Sequence, residues 1–463
     1  MNELAFLPAT EQARLVRKGE VSPVELVELY LERIERLNPE LGAYVTVRAD
    51  EALAEARAKA DGPADAPFHG VPIALKDLDT TAGIRTTFAS HAFADYVPDF
   101  DLVHVAKLKA AGFVVLGKTN TPEFGTTAFT DSPLHGPCRT PWDLSRNAGG
   151  SSGGAAAAVA AGLAGIAQGS DGGGSIRIPA SCCGLFGIKA SRGRVSNAPF
   201  VPGIGLGTTG PLARTTRDAA AYLDVVSGYE WGDPFPAPPP ERPYVEEIGA
   251  DPGPLRVALT TAPPLETELD PACAAAAHDA AELLASLGHE VEETAVDWGG
   301  PELMEDFLPV WQAVPSLYPI ADPSLLTPLN RWFLESAAAT SSPEYAGAIG
   351  RLQLRARVLA ALWQSYDLLL TPTLAMLPAP VGWDSEEPDP RAQFDRAARF
   401  TPFTAAFNVT GQPAVSLPLF WTDEGIPVGV QLVGPPLGEA LLFRVSSQLE
   451  AARPWVSRRP PHS

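Results

Sequence analysis

The stretch GGSSGGAAAAVAAGLAGIAQGSDGGGSIRIPAS, residues 149–181, places three glycines directly before a serine. Its alanine-rich centre predicts a helix, and the glycines and serines before it predict a turn from which the helix begins. Gly172, Gly173 and Gly174 let the chain curl so that several backbone N–H groups point inward beside Ser175. Such a nest is what an acyl-transfer enzyme needs to hold an oxyanion. Composition alone is equally compatible with an ordinary turn between a helix and a strand.

Short apolar runs between turn signals lie on both sides of this stretch, and helical segments such as DLVHVAKLKAAG alternate with them. The runs are VPIAL (71–75), FVVLG (113–117), LRVAL (255–259) and YDLLL (366–370). This alternation predicts an α/β fold with a mostly parallel sheet. PAVSLPLF and IPVGVQLVG, joined by WTDEG, predict a hairpin, and LGEALLFRVSSQLEAA predicts a closing helix. We therefore expect a mixed, mostly parallel sheet.

The N-terminal segment SPVELVELYLERIERLNP predicts a long helix. Ser22 is suited to the N-cap, Pro23 to the first helical position and Glu25 to the capping box, and the helix is expected to end near Asn38-Pro39. A second helical run stops at Gly62. We expect these helices to wrap the body of the fold.

Composition limits the classes of function. The chain has 463 residues and a net charge of −21, and we find no local basic patch, so no nucleic-acid or membrane-surface partner is expected. The start lacks a leader pattern and no long apolar run is present, which favours the cytoplasm. Because the cysteines fit neither a disulfide framework nor a metal-ligand spacing, we interpret them as buried thiols: Cys138, Cys182, Cys183 and Cys273.

Two short motifs match patterns of other enzymes. GFVVLGKT, residues 112–119, matches the phosphate-binding pattern G-x-x-x-x-G-K-S/T, but its variable residues look like a strand rather than a loop. GSSGG, residues 150–154, matches the nucleophile elbow at Ser152, but the preceding segment is polar. A histidine partner would have to come from an unremarkable setting, at His278, His289 or His462. We discount both motifs.

The sequence resembles the amidase signature family over essentially its whole length, most strongly over residues 70–191. Segments typical of that family occur in order: GVPIALKD (70–77), LGKTNTPEFG (116–125), PWDLSRNAGGSSGG (141–154), GSDGGGSIRIPASCCGLFGIK (169–189), GQPAVSLPL and GIPVGVQLVG. The resemblance implies an amidase signature fold with helices on both faces of a twisted sheet. It also implies an amidohydrolase that cleaves linear or cyclic amides other than peptide bonds, and the family contains both discounted motifs without their usual functions.

The resemblance further implies a Ser-Ser-Lys catalytic set. Ser175 corresponds to the nucleophile, Ser151 to the bridging serine and Lys76 to the base, and the peptide before Ser151 is cis in the family. A lysine serves as a base near neutral pH only if burial lowers its pKa from about 10.4; the apolar run before Lys76 would carry it into the interior. The alternative is a surface lysine paired with Asp77 or Asp79.

The N–H groups of Gly172, Gly173, Gly174 and Ser175 are expected to form the oxyanion hole. Supporting roles are expected for Ser152, Asp171 and Arg177. Asp171 and Arg177 are expected to hold the shape of the glycine loop by hydrogen bonds; the alternative is a simple ion pair at the surface. No metal or organic cofactor is implied. The expected partner is a small amide substrate, and a homodimer is compatible with the sequence.

We expect one amidase signature domain over residues 1–463. It comprises N-terminal helices (1–62), a catalytic core (70–191), a variable region that shapes the substrate site (192–410) and a C-terminal hairpin and helix (411–452). Large aromatics of the variable region are either core or pocket residues: Phe307, Trp311, Trp332, Phe333, Trp363, Phe400 and Phe407.

Within the family, FTPFTAAFNVTGQPAVSLPLF resembles bacterial hydrolases, including those that cleave the cyclic dimer of 6-aminohexanoate. The alternative is the glutamine-hydrolysing component of a tRNA-dependent amidotransferase. That component is expected to carry an acidic residue where this chain has Thr401. A catalytically silent binding protein with the same fold is the alternative from another class.

Overall fold

A computed structural model describes residues 3–62, 64–200, 205–300 and 302–463. Residues 1 and 2 of the expected N-terminal unit, and residues 201–204 and 301 of the expected variable region, lie outside the described residues. The helices are α1 (Ala9–Arg17), α2 (Pro23–Leu41), α3 (Ala49–Ala60), α4 (Val103–Ala110), α5 (Gly153–Ala160), α6 (Arg177–Cys183), α7 (Thr216–Val226), α8 (Pro271–Ser286), α9 (Leu303–Trp311), α10 (Pro328–Ala339), α11 (Ser342–Ala360), α12 (Pro390–Phe400), α13 (Ala406–Thr410) and α14 (Glu439–Ala452).

The strands are β1 (Tyr44–Val47), β2 (Pro72–Lys76), β3 (Val114–Thr119), β4 (Arg139–Thr140), β5 (Asp143–Asn147), β6 (Ile166–Asp171), β7 (Phe186–Lys189), β8 (Thr208–Ala213), β9 (Arg256–Leu259), β10 (Glu290–Glu293), β11 (Leu368–Pro372), β12 (Ala414–Trp421) and β13 (Pro427–Val433). Eleven of them form one sheet in the order β1-β3-β2-β6-β8-β7-β12-β13-β11-β9-β10, and β4 pairs with β5.

The large sheet is mixed, as expected, but its pairs are not mostly parallel. Among the described residues, β2 pairs in parallel with β3 and β6, and β9 with β10 and β11. The other six pairs are antiparallel. The expectation of a parallel majority was wrong because β7 and β8, whose sequences FGIK and TTGPLA contain glycine and proline, do not read as apolar runs. They insert antiparallel strands at the centre of the sheet.

Helices cover both faces of the sheet, as expected. Successive side chains of a strand point to opposite faces. On β2, Ile73 and Leu75 belong to a core that includes residues of α4, α7, α8 and α14. Ala74 points the other way, into a core that includes residues of α2 and α5. Every residue of α5 is buried, which its small side chains permit.

Helix α2 confirms the expected N-terminus and corrects the expected end. The Ser22 side chain accepts a hydrogen bond from the Glu25 N–H, and the Glu25 carboxylate accepts one from the Ser22 N–H. The helix runs through Pro39, although this proline lacks the N–H that would bond the Glu35 carbonyl, and continues to Leu41. It stops at Gly42, whose φ of 63° is the left-handed conformation that glycine favours.

Parallel pairing within the sheet positions the motifs singled out in the sequence. Strands β2, β3 and β6 run in the same direction, so their carboxyl ends lie at one edge of the sheet. Lys76 ends β2 and Asp171 ends β6. Ligands of open α/β sheets bind at such an edge.

Two further expectations can be compared with the described residues. All four cysteines are buried and free, which confirms their interpretation as buried thiols. The described part of the chain contains no helix long and apolar enough to cross a membrane.

Candidate active site

Lys76 is fully buried at the end of β2. Its Nζ donates hydrogen bonds to Ser151 Oγ at 2.7 Å and to Ser170 Oγ at 3.0 Å. Burial lowers the pKa of the amine from 10.5 to about 7, although the negative charges of Asp79 and Asp171 oppose this effect. A surface lysine paired with Asp77 or Asp79 is therefore excluded, since the side chain is in the interior and contacts two hydroxyls.

Ser151 lies in the turn before α5, where its side chain is almost completely buried. The peptide bond between Gly150 and Ser151 is cis, as expected. Thr130 fixes this turn from both sides, because its Oγ1 donates to the Gly149 carbonyl at 2.7 Å and accepts from the Gly153 N–H at 3.1 Å. The hydroxyl that contacts Lys76 is thus held by the backbone around it.

Ser175 follows the glycines at the start of the turn into α6, and its carbonyl accepts a hydrogen bond from the Ser152 N–H at 3.1 Å. The structure gives no hydrogen-bond partner among the described residues to the N–H groups of Gly172, Gly173 and Ser175. The Gly174 N–H differs from expectation, because it donates to Asp171 Oδ1 at 2.8 Å and so already has a partner.

Asp171 and Arg177 form a fully buried ion pair, so the alternative of a simple surface pair is wrong. Two guanidinium nitrogens donate to the two carboxylate oxygens at 2.9 and 3.0 Å. Burial raises the pKa of the Asp171 carboxyl, but the charge and hydrogen bonds of Arg177 outweigh it and hold the pKa well below its usual range. Arg177 also donates to the side chains of Asn408 and Gln431. The pair therefore ties the glycine loop to α13 and β13.

Ser152 is buried beside β6 rather than in the position of an attacking hydroxyl. Its Oγ accepts from the Ser170 N–H and donates to the Ser170 carbonyl, each at 3.2 Å. None of the three histidines considered as its partner contacts it: His278 bonds the Ala274 carbonyl and His289 bonds Gln448, whereas His462 donates its backbone N–H to the Pro141 carbonyl. The nucleophile-elbow interpretation of GSSGG is excluded.

The phosphate-loop interpretation of residues 112–119 also fails on geometry. Val114 to Thr119 form β3, whose N–H groups pair with neighbouring strands instead of curling around an anion. Lys118 is buried and donates to the Asp79 carbonyl and to Thr86 Oγ1. The motif is a core strand.

Two cavities meet at Ser175. The larger, about 250 Å³, is lined by Ser151, Ser170 and Ser175 together with mostly apolar side chains of α9 and the turn after it. The smaller, about 60 Å³, is lined by Ser175, Gly173, Thr401 and apolar residues of α9 and α12. Of the aromatics considered, Phe307 and Trp311 line a cavity, and the others are core or pack against it: Trp332, Phe333, Trp363, Phe400 and Phe407.

A family model described as amidase matches residues 25–443. The chain belongs to the amidase family. It is 39% identical over 477 residues to a 6-aminohexanoate-cyclic-dimer hydrolase of Pseudomonas sp. strain NK87, covering 98% of this chain and 96% of the relative. A solved 6-aminohexanoate cyclic dimer hydrolase, complexed with substrate, matches with a TM-score of 0.94 and 37% identity over 99% of both chains.

A second solved structure, that of a bacterial aryl acylamidase of the amidase signature family, matches with a TM-score of 0.88 and 27% identity over 97% of both chains. These findings confirm the amidase signature fold and make the chain an amide-hydrolysing enzyme of the amidase family. Its relatives include hydrolases that act on small amides.

Sequence reasoning missed four polar contacts of this amidase site. Ser170 contacts Lys76; Thr404 Oγ1 donates to the Gly173 carbonyl at 2.5 Å; Asn408 and Gln431 bind Arg177. The signal for Ser170 was present, since it precedes Asp171 at the end of a strand. The other three lie more than 220 residues from their partners along the chain, and no local pattern marks them.

Proposed function

We propose that the enzyme hydrolyses an amide through an acyl-enzyme on Ser175, with Ser151 as the proton relay and Lys76 as the base. One observation carries the proposal: a fully buried amine with a pKa of about 7 lies 2.7 Å from the Ser151 hydroxyl, and that hydroxyl opens into the cavity that Ser175 also lines. A neutral amine is therefore present in quantity near pH 7, as a general base requires.

In the proposed reaction, Ser175 Oγ forms a bond to the amide carbon while its proton passes to Ser151 Oγ. The Ser151 proton passes in turn to Lys76 Nζ, and the carbonyl oxygen takes the negative charge. The relay then reverses, so that Ser151 protonates the amide nitrogen and the C–N bond breaks with departure of the amine. Water attacks the acyl-enzyme by the same route, releasing the carboxylate.

The proposed oxyanion hole consists of the N–H groups of Gly172, Gly173 and Ser175, because these donors have no other partner among the described residues. Each such donor is worth roughly 3–4 kcal/mol of transition-state stabilisation in well-studied hydrolases. Asp171 would hold the loop in place by accepting from the Gly174 and Ile176 N–H groups. Arg177 and Ser152 would act in the same supporting way.

Labelling with a fluorophosphonate tests these roles, since the reagent forms a bond to an activated serine oxygen and releases fluoride. We expect one adduct on Ser175, located by peptide mass spectrometry, and its loss in Ser175→Ala and Lys76→Ala. Ser181→Ala is the matched control, because Ser181 is also a buried serine of this region and its hydroxyl bonds the Gly429 N–H, away from Lys76. Labelling of folded Ser175→Ala at the native rate would overturn the assignment.

Glutamine hydrolysis for transamidation is less favoured. No acidic side chain of the described residues lines the smaller cavity, and Thr401 stands there with Thr404 as its hydroxyl partner. A glutaminase assay tests this directly, and release of ammonia from glutamine at rates above those for simple amides would revive the alternative.

Three expectations from the sequence stay predictions: the single-domain division, a cytoplasmic location and a homodimer. Light scattering on the purified chain tests the homodimer.

A further inference from the structure

The two cavities beside Ser175 differ in which catalytic hydroxyl they contain. Ser175 and Trp311 line both cavities. Ser151 lines only the larger one, and Gly173 only the smaller one. The Trp311 ring is fixed between them, since its Nε1 donates to the Thr126 carbonyl at 3.0 Å and its face stacks on Phe307.

The proposed chemistry decides which part of a substrate faces each cavity. The carbon bonded to Ser175 Oγ carries three other groups: the oxyanion, the leaving nitrogen and the acyl carbon chain. The oxyanion points to the free N–H groups of the glycine loop. The nitrogen has to approach within hydrogen-bond distance of Ser151, which protonates it, and Ser151 opens into the larger cavity. The acyl chain is left with the smaller cavity.

The sizes of the cavities then limit each part. The larger cavity, of about 250 Å³, has about four times the volume of the smaller one, of about 60 Å³. The part of a substrate that faces the smaller cavity therefore has to be the shorter one. Among the described residues, the only Asp, Glu, Lys, Arg or His side chain that lines either cavity is Asp171, whose charge is paired with Arg177. Uncharged, apolar groups therefore suit both sides.

We propose that this enzyme prefers amides that join a short acyl group to a bulky apolar amine. The proposal rests on the proposed function, because it uses Ser151 as the group that protonates the leaving nitrogen. It assigns Met304, which lines only the smaller cavity, to the limit on acyl length. It assigns Leu317, which lines only the larger cavity, to recognition of the amine.

Two series of simple amides test the preference on the native protein. The first keeps the amine and lengthens the acyl chain, from N-benzylacetamide through N-benzylbutanamide to N-benzylhexanamide. The second keeps the acetyl group and changes the amine from methylamine through butylamine to cyclohexylmethylamine, all alkylamines of similar leaving ability. We expect kcat/KM to fall at least about 10-fold along the first series and to rise at least about 10-fold along the second.

Two truncations locate the effect. Met304→Ala is expected to raise the kcat/KM of N-benzylhexanamide relative to N-benzylacetamide by about 10-fold. Leu317→Ala removes a similar length of aliphatic side chain from the larger cavity only. It is expected to leave that ratio within about threefold of native, because the change is remote from the acyl cavity, and to lower the preference for cyclohexylmethylamine over methylamine.

The outcomes separate the two levels of the proposal. A preference for the hexanoyl over the acetyl amide in the native protein, or equal effects of both truncations on the acyl ratio, would overturn the substrate preference while leaving the amidase mechanism intact. In both of these cases Ser175→Ala is still expected to lose all turnover, because the mechanism is unchanged. No hydrolysis of any member by the native protein would overturn the proposed function and the inference together.

Discussion

Replacing Lys76 with methionine is expected to abolish hydrolysis and yet stabilise the fold near neutral pH. Methionine has a similar length and volume but carries no charge. The pKa of Lys76, lowered by burial from 10.5 to about 7, corresponds to roughly 5 kcal/mol of lost stabilisation of the ammonium, at about 1.4 kcal/mol for each pKa unit. The proposed role of Lys76 as a base, which needs a neutral amine near pH 7, would account for this cost.

The sign of the pH dependence follows from proton binding. The unfolded chain keeps its lysine proton up to about pH 10.4, whereas the folded chain releases it near pH 7. Between these values the unfolded state binds more protons, so the native free energy of unfolding rises with pH. The destabilisation by Lys76 is complete below pH 7 and absent above the unfolded pKa. Lys76→Met removes it at every pH.

The size of the effect at pH 7 is the difference between two contributions. The variant gains roughly 5 kcal/mol and loses two hydrogen bonds, to Ser151 and Ser170, worth about 1 kcal/mol each. The net gain is about 3 kcal/mol. With an unfolding entropy of roughly 1 kcal/mol/K for a chain of this length, Tm rises by about 3 °C at pH 7. At pH 10 the gain has vanished and the variant melts at or below the native Tm.

Lys189→Met provides the control, measured by differential scanning calorimetry alongside amide hydrolysis. Lys189 is buried, burial lowers its pKa to about 7, and its Nζ donates to the Ala190 carbonyl. This variant is expected to show the same pH-dependent rise in Tm while keeping kcat/KM within a few-fold. The reasoning would be refuted if Lys76→Met melted below the native protein at pH 7 and by the same number of degrees below it at pH 10.

Three further predictions concern the same site. Because neutral Lys76 is the proposed base, kcat/KM should rise about 10-fold per unit below pH 7 and level above it; a flat profile from pH 5.5 to 9 would contradict the role. Asp171→Asn leaves buried Arg177 without a counter-charge, which should lower the free energy of unfolding by about 3–5 kcal/mol and Tm by about 3–5 °C. The control Asp395→Asn, in an exposed ion pair, should lower Tm by less than about 1 °C. Equal losses of Tm for the two variants in calorimetry would argue against the buried pair. Gly174 has a φ of 135°, and a Cβ added there would clash with Thr404 Oγ1, whereas a Cβ at Gly173 would make only ordinary contacts with Phe307 and Trp311. Gly174→Ala should therefore lower Tm by at least about 2 °C more than Gly173→Ala. Equal Tm values for the two variants would count against that strain.

Much of the fold could be predicted because its signals are local. The capping box at Ser22 and Glu25 uses residues three positions apart, and it forms as predicted. Apolar runs located the strands that carry Lys76 and Lys118. Strands β7 and β8 escaped this reasoning because their positions in the sheet depend on pairing with each other and with distant neighbours, rather than on hydrophobicity of their own.

The candidate site divides in the same way. Lys76, Ser151 and Ser175 were found through a resemblance of motif and spacing, and the structure brings Lys76 to Ser151 and both serines to one cavity. The direction of the Gly174 N–H could not be predicted, because it depends on which way one peptide unit turns toward the Asp171 carboxylate. The fully buried state of Asp171 was equally invisible, since it depends on packing by residues of α13 and β13.

Trp311 belongs to the wall of both cavities, so its substitution alters two selectivities at once. A smaller side chain there would merge the spaces and relax discrimination for both halves of a substrate, at the expense of the hydrogen bond that fixes the ring. Met304 and Leu317 each line one space only. Variation at those two positions can change acyl and amine preferences separately, whereas a lineage that changes Trp311 changes both preferences together.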